Sequence, residues 1–251
     1  MAKPGAALVT GAGARLGKAM AEALAADGRD VAVHYSRSKA GAEETARNIT
    51  ATGAKAVTVQ ANLATEADTA TLVSKASTAL GQPITLLVNS ASTFFEDSAL
   101  SHTHEGWDGH MAVNLRAPVL LAQSFAKALP PNTKGNIINL IDQRVLKLNP
   151  QFFTYTLSKS ALWSATRTLA QALAPNIRVN AIGPGPTLRS IHQSQEEFDA
   201  EAEATLTGEG SSPDEIVAAL RYLISAPSVT GQMIASDGGQ HLLWQTPDIE
   251  I

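Results

Sequence analysis

The chain has 251 residues, 44% hydrophobic and 17% charged, so it can bury about three quarters of the surface its unfolded form exposes; disordered and collagen-like chains are excluded. A formal net charge of −4 supplies no basic field to recruit nucleic acid or an anionic membrane, and a small-molecule partner is expected instead. With no cysteine the chain has no disulfide, thiolate metal site or thiol nucleophile, which suits a reducing cytoplasm.

Lys3 and the apolar run 5–9 are too short for a secretory signal, and no stretch approaches the roughly 18 uninterrupted apolar residues of a membrane helix, so a soluble cytoplasmic protein is expected. A first strand at 6–10 runs straight into Thr10-Gly11-Ala12-Gly13-Ala14-Arg15-Leu16-Gly17, and then into a helix whose Leu16, Ala19, Met20, Ala23 and Leu24 form one apolar stripe that Gly28 ends. Glycines at a helix start permit a tight turn and close backbone approach, while the free amides and the positive helix end attract a pyrophosphate. Gly11, Gly13, Arg15, Leu16 and Gly17 are therefore the candidate cofactor cradle. The second strand, 31–35, ends Val33-His34-Tyr35-Ser36-Arg37-Ser38. NAD binders place an acid about twenty residues beyond such a loop to hold the ribose hydroxyls. Here Arg37 and Ser38 stand instead, able to receive the extra phosphate of NADPH, and Arg15 adds a second positive charge.

Helix and strand then alternate: helix 42–52, strand 56–60, helix 66–80, strand 84–88, helix 107–129, strand 136–141, helix 154–174, strand 177–182, helix 213–225 and strand 232–235. Most strands lack polar alternation, as central strands covered on both faces do. The expected fold is α/β, a single Rossmann-like domain over 1–251 with a doubly wound, mostly parallel sheet of about seven strands flanked by helices. Residues 188–212 break the rhythm with acidic side chains and glycines; they read either as a solvated helix and loop or as a substrate lid. His102, His104 and His110 lack a carboxylate set with metal-ligand spacing, so they are expected in loops or an interface, with no metal. Tyr155 and Lys159, four apart on a predicted helix, share one face, and ligands of open α/β sheets collect at the carboxyl ends of strands. Those ends carry Asn89-Ser90-Ala91-Ser92 and Asp142, with Asn114 in the intervening helix.

In their order these motifs, with Pro184-Gly185-Pro186-Thr187, Thr230-Gly231-Gln232 and Asp237-Gly238-Gly239, resemble the short-chain dehydrogenase/reductase family over essentially the whole chain. The resemblance implies a usually tetrameric enzyme that moves hydride to or from a nicotinamide. It makes Tyr155 the proton donor or acceptor, and gives Lys159 the nicotinamide ribose and a lowering of the tyrosine pKa from about 10. It implies a water relay at Asn114 and a nicotinamide lining at Pro184, Gly185 and Thr187. Further cofactor contacts fall to Tyr35, Asn62, Leu63, Asn89, Ser90 and Ala91, with Asn62 standing where the family has an adenine-binding aspartate.

Three departures point to a pteridine reductase-like branch: Arg15 in place of the third glycine, Asn-Ser-Ala-Ser at 89–92, and Asp142 in place of the catalytic serine. Ser92 and Phe94 then join Arg15, Asp142 and Tyr155 as substrate residues, Phe94 stacking on a flat ring opposite the nicotinamide. A carboxylate beside Tyr155 raises the phenol's pKa, which disfavours alcohol oxidation and suits reduction of a ring C=N bond, where it accepts ring N–H donors. The expected activity is NADPH-dependent reduction of a pterin or dihydropterin by a homotetramer. A ketoacyl or sugar carbonyl reductase and an inactive nucleotide-binding scaffold are the alternatives. Asp142 also suits a simple capping role. The apolar tail 240–247 reads as docked on its own domain or at a subunit contact.

Overall fold

Seven runs of aliphatic residues pair into one parallel sheet, ordered β3-β2-β1-β4-β5-β6-β7, in the computed structural model, which describes residues 5–245. The strands are β1 (Ala6–Val9), β2 (Val31–Tyr35), β3 (Ala56–Gln60), β4 (Ile84–Asn89), β5 (Gly135–Leu140), β6 (Ile177–Pro184) and β7 (Met233–Ser236). Side chains of successive strand residues point to opposite faces, and β1 displays this directly. Ala7 and Val9 enter one core with Met20, Leu24, Ile49 and Leu220, while Ala6 and Leu8 enter the other with Leu72, Leu121 and Phe125. One face is covered by α1 (Arg15–Ala26), α2 (Lys39–Ala51) and α8 (Pro213–Ser225), the other by α3 (Glu66–Leu80), α5 (Ala117–Ala128) and α6 (Phe153–Leu173). Strand order reverses between β1 and β4, and the crevice outside their carboxyl ends is where ligands of such sheets bind.

Most expected elements recur within three residues of their predicted ends. The exception is the helix expected over 107–129, which is broken into α4 (His104–His110), a π-helical segment Met111–Arg116 and α5. Pro118 supplies a physical reason: it lacks the N–H that would return to the carbonyl of Asn114 four residues earlier, so the α register cannot run through. In 188–212 lies α7 (Gln195–Glu203), started by a Ser194–Glu197 capping box and burying none of its residues. The segment is nonetheless fastened. Arg15 donates to the carbonyls of Leu188 and Arg189, both at 2.9 Å, and His192 Nε2 lies 3.2 Å from the Phe94 carbonyl. The tail docks on its own chain through Gln240 to Glu201 and Lys147 to the Leu243 carbonyl; residues 246–247 fall outside the described residues.

The glycine loop between β1 and α1 is held by a residue from β2. The buried His34 accepts from the Gly11 N–H at Nδ1 (3.1 Å), which leaves Nε2 to donate to the Ala61 carbonyl (3.1 Å). This ring must be neutral, and burial pushes its pKa down to about 4 from 6.5. Stability contributed by neutral His34 is therefore complete above 6.5 and lost as pH falls through 4, by up to about 3 kcal/mol. Urea unfolding across that window should show this acid loss in the wild type and a flatter profile in His34→Asn.

Candidate active site

The site grows from the carboxyl end of β5. Beyond Leu140 the chain reaches Asp142, whose Oδ1 accepts the Arg144 N–H at 2.8 Å and caps the 3-10 turn Gln143–Val145. Its other oxygen, Oδ2, accepts the Tyr155 hydroxyl at 2.9 Å. Asp142 thus serves both as a cap and as the partner of Tyr155, one oxygen for each. Tyr155 sits in the first turn of α6, and Lys159 follows one turn later with its ammonium 5.6 Å from the Tyr155 ring centroid.

Burial sets the protonation of this group. It pushes the Tyr155 hydroxyl well above 10, and the Asp142 charge and hydrogen bond push it further. Burial also raises the Asp142 carboxyl, opposed by the Arg144 N–H and charge, by Tyr155 and by Lys159. Lys159 is brought down to about 8 by burial, against the attraction of Asp142. The lowering of the Tyr155 pKa implied by the family resemblance is thus reversed. The Lys159 Nζ donates to the Leu140 carbonyl at 2.9 Å, while desolvation and a neighbouring carboxylate act on the phenol directly.

Asn114 is fully buried in the π-helical segment, and its side chain acts as a clamp. Its Oδ1 accepts from Thr93 N–H and Ser92 Oγ, and its Nδ2 donates to the Thr93 carbonyl and Ser158 Oγ. That clamp holds the loop bearing Ser92 and Phe94 against α6. Phe94 is not a lone platform: Phe152 stacks on one face at 4.3 Å and 12°, and Tyr155 meets it edge-on at 4.7 Å and 78°. The His192 ring also lies beside it, at 5.9 Å and 58°. The Arg144 guanidinium covers Phe152 at 5.0 Å.

Across the crevice, the glycine loop approaches the β4 loop closely. Thr10 Oγ1 accepts the N–H groups of Ser90 and Ala91, and the Asn89 side chain donates to Asn139 Oδ1. Gly17 has no substitute, since a Cβ there would lie 2.4 Å from the Gly11 carbonyl oxygen. Arg15 takes a left-handed conformation (φ 52°), the region in which a glycine would be free of strain, and Gly13 and Leu16 flank it at the start of α1. Its guanidinium lies exposed on the 188–189 carbonyls. Arg37 and Ser38 are exposed between β2 and α2, whereas Tyr35 is buried in the core. Asn62 caps its own turn through Oδ1 to the Ala64 N–H, with Leu63 buried behind it. Beyond β6, Gly185 is paired to Ser236 and the Thr187 hydroxyl donates to the Gly185 carbonyl, fixing the turn that follows Pro184. The α1 start, the close backbone approach that Gly11 and Gly17 allow and the exposed Arg37 fit a dinucleotide with an additional phosphate.

Phe152, Arg144, Thr154 and Asp97 are not legible as site residues in the sequence. The missing local cap before α6 was the one available signal, because a helix start without Ser, Thr, Asp or Asn needs a partner from elsewhere. His110, expected in a loop or interface, is instead fully buried in α4 beside Tyr155. His102 and His104 lie exposed in that region, and no cluster of three or more potential metal ligands occurs among the described residues. No described helix is long and apolar enough to cross a membrane.

A family model described as enoyl-(acyl carrier protein) reductase matches residues 11–241. The chain is 51% identical to the FolM alternative dihydrofolate reductase 1 of Brucella suis, solved in complex with NADP, with a TM-score of 0.95 and all of both chains covered. A short-chain dehydrogenase of Burkholderia cenocepacia J2315, solved in complex with NADP, is 29% identical with a TM-score of 0.87, covering 94% of this chain and 97% of that one. A 3-oxoacyl-[acyl-carrier-protein] reductase of Synechocystis sp. is 32% identical over 237 residues, 93% of this chain and 95% of that protein.

The Asp142 contribution to Tyr155 can be titrated. Of three tyrosines in the chain, the one lost in Tyr155→Phe identifies the signal in an ultraviolet difference titration. In Asp142→Asn its midpoint should move down towards the ordinary phenol value, because a charge and an acceptor that hold the proton are removed.

Proposed function

We propose that this chain, which belongs to the short-chain dehydrogenase/reductase family, uses NADPH to reduce a ring C=N bond of a pterin or dihydropterin. The observation that carries this reading is the 2.9 Å hydrogen bond between Tyr155 and Asp142 at the place where a hydroxyl would suit a ketone. The likeness to an alternative dihydrofolate reductase at 51% identity supports the same substrate class.

NADPH, when bound, supplies the hydride to the carbon of the C=N bond. Tyr155 gives a proton to the nitrogen, so the double bond becomes CH–NH and the phenolate left behind is reprotonated from solvent. The phenol is protonated at neutral pH, as a proton donor must be, and its raised pKa makes it a weak acid, so the transfer depends on the basicity that grows on the nitrogen as hydride arrives. Asp142 accepts an N–H of the substrate ring and orients it. Phe94 takes the flat ring, with Ser92 at its edge and Arg15 between the cofactor cradle and the substrate segment. Gly11, Gly13, Leu16 and Gly17 receive the pyrophosphate, Arg37 and Ser38 the additional phosphate, and Tyr35, Asn62 and Leu63 border the adenosine. Lys159 turns from the Leu140 carbonyl to the ribose, Asn114 supports a water relay, and Asn89, Ser90, Ala91, Pro184, Gly185 and Thr187 line the nicotinamide. The whole chain acts as one reductase domain, a cytoplasmic homotetramer, with 188–212 as the substrate lid.

Carbonyl reduction is the second reading, favoured by the resemblance to a 3-oxoacyl reductase over 93% of the chain. Asp142 argues against it, because a half-buried carboxylate beside Tyr155 repels the partial negative charge that grows on a carbonyl oxygen. The intact Tyr155, Lys159 and Asn114 argue against an inactive scaffold.

The test compares kcat/KM for a dihydropterin and for a small ketone. Wild type should prefer the dihydropterin, and Asp142→Ser should shift the preference towards the ketone. Tyr155→Phe should fold and bind NADPH while losing about 10² to 10⁴ in turnover. Good ketone reduction with no dihydropterin turnover, unchanged by Asp142→Ser, would leave only the general reductase.

A further inference from the structure

Helix α6 begins without a cap of its own. Its N-cap residue is Phe152, held left-handed at φ 52°, and no side-chain oxygen near it in sequence satisfies the first N–H groups. Asp97, from the loop that carries Phe94 and Phe95, takes that place across 57 residues of chain. Its Oδ1 accepts the Thr154 N–H at 3.0 Å, its main-chain carbonyl accepts the Phe153 N–H at 3.3 Å, and its Oδ2 accepts the Thr154 hydroxyl. Asp97 and Thr154 are both buried.

The threonine hydroxyl has a single proton, and the carboxylate takes it, because a carboxylate only accepts. Thr154 Oγ1 therefore has only lone pairs to offer His110, whose Nδ1 lies 2.6 Å away. His110 must carry its proton on Nδ1, and a neutral ring then leaves Nε2 bare. Nε2 is indeed buried without a hydrogen-bond partner. Burial holds the His110 pKa below its usual value, with Lys159 acting in the same sense and Asp97 against it. The ring is clamped between two aromatics: Phe95 stacks on it at 3.8 Å and 15°, and Tyr155 meets it edge-on at 5.9 Å and 67°.

We infer that Asp97, Thr154 and His110 form a positioning array that locks the first turn of α6 to the Phe94–Phe95 loop and so fixes where the Tyr155 hydroxyl points. None of the three touches the reacting atoms. They act through Tyr155, the next residue after Thr154, and through Phe94, three residues before Asp97. The proton donor and the ring platform thereby move as one body. The inference rests on the reading that Tyr155 delivers the proton, but its geometry can be tested without any substrate.

The first measurement is the nitrogen NMR spectrum of histidine-labelled wild type with a His110→Gln variant for assignment. A neutral His110 protonated on Nδ1 is expected; protonation on Nε2 would overturn the array. Amide exchange gives the second: Asp97→Ala, which removes the side-chain acceptor, should speed exchange at Thr154 while the later turns of α6 keep their protection, and unchanged exchange at that amide would contradict the cap. The third is kinetic, on enzyme loaded with NADPH. Thr154→Val should lower kcat about tenfold to a hundredfold, the scale of a misplacement near 1 Å, with NADPH affinity unchanged, and Thr154→Ser should restore it. A Thr154→Val enzyme that melts earlier yet keeps its kcat would reduce the array to ordinary stabilisation. If wild type turns over no dihydropterin, the substrate reading fails, and the NMR and exchange results still decide the array.

Discussion

The bond between the Tyr155 hydroxyl and Asp142 Oδ2 sets the terms for everything around it, because it asks two groups that each ionise in water to share one proton where Tyr155 is buried and Asp142 half-buried. Removal from water disfavours charge on both, and the charge of either raises the cost of the other. The protein supports the arrangement from the carboxylate side. Asp142 is held by the Arg144 N–H, Arg144 and Lys159 bring positive charge, and the Lys159 ammonium is itself held by the Leu140 carbonyl at the end of β5. The result is a phenol that retains its proton and is unsuited to act as a base.

Such a pair is useful only if the residues around it are rigid, and the sheet topology provides that. Residues from the ends of β1, β4 and β5 meet because the strand order reverses between β1 and β4. Each loop is then tied to a neighbour by a side chain that spends its polar atoms completely: Thr10 on the amides of Ser90 and Ala91, Asn114 on Thr93 and Ser158, His34 on Gly11 and Ala61. Buried polar groups satisfied in this way specify one geometry, since any displacement leaves a donor or acceptor unpaired in a low-dielectric interior.

Much of this was legible in the sequence because the signals are local. Strands covered on both faces read as aliphatic runs, the glycine loop lies between a strand and a helix, and Tyr155 and Lys159 declare a shared helix face through their spacing. Asp142 could be weighed against a serine because the family resemblance places a serine there. What was not legible depends on contacts between distant residues. The break at 111–116 follows from Pro118 inside an otherwise continuous helical pattern, which a periodicity reading passes over. The guanidinium of Arg15 reaches carbonyls more than 170 residues away, and Asp97 caps a helix 57 residues downstream; no local pattern encodes either. The rise of the Tyr155 pKa follows from a carboxylate beside it, whereas the burial that contributes most to it and the opposing charge of Arg144 depend on the packed structure.

The most direct test of the account is a crystal structure of the ternary complex with NADP and a dihydropterin. The ring should lie flat against Phe94, with Asp142 Oδ2 and the Tyr155 hydroxyl each about 3 Å from a ring nitrogen, and with Arg37 on the additional phosphate of the cofactor. A dihydropterin bound away from Phe94, or one whose nitrogens meet neither Asp142 nor Tyr155, would contradict it.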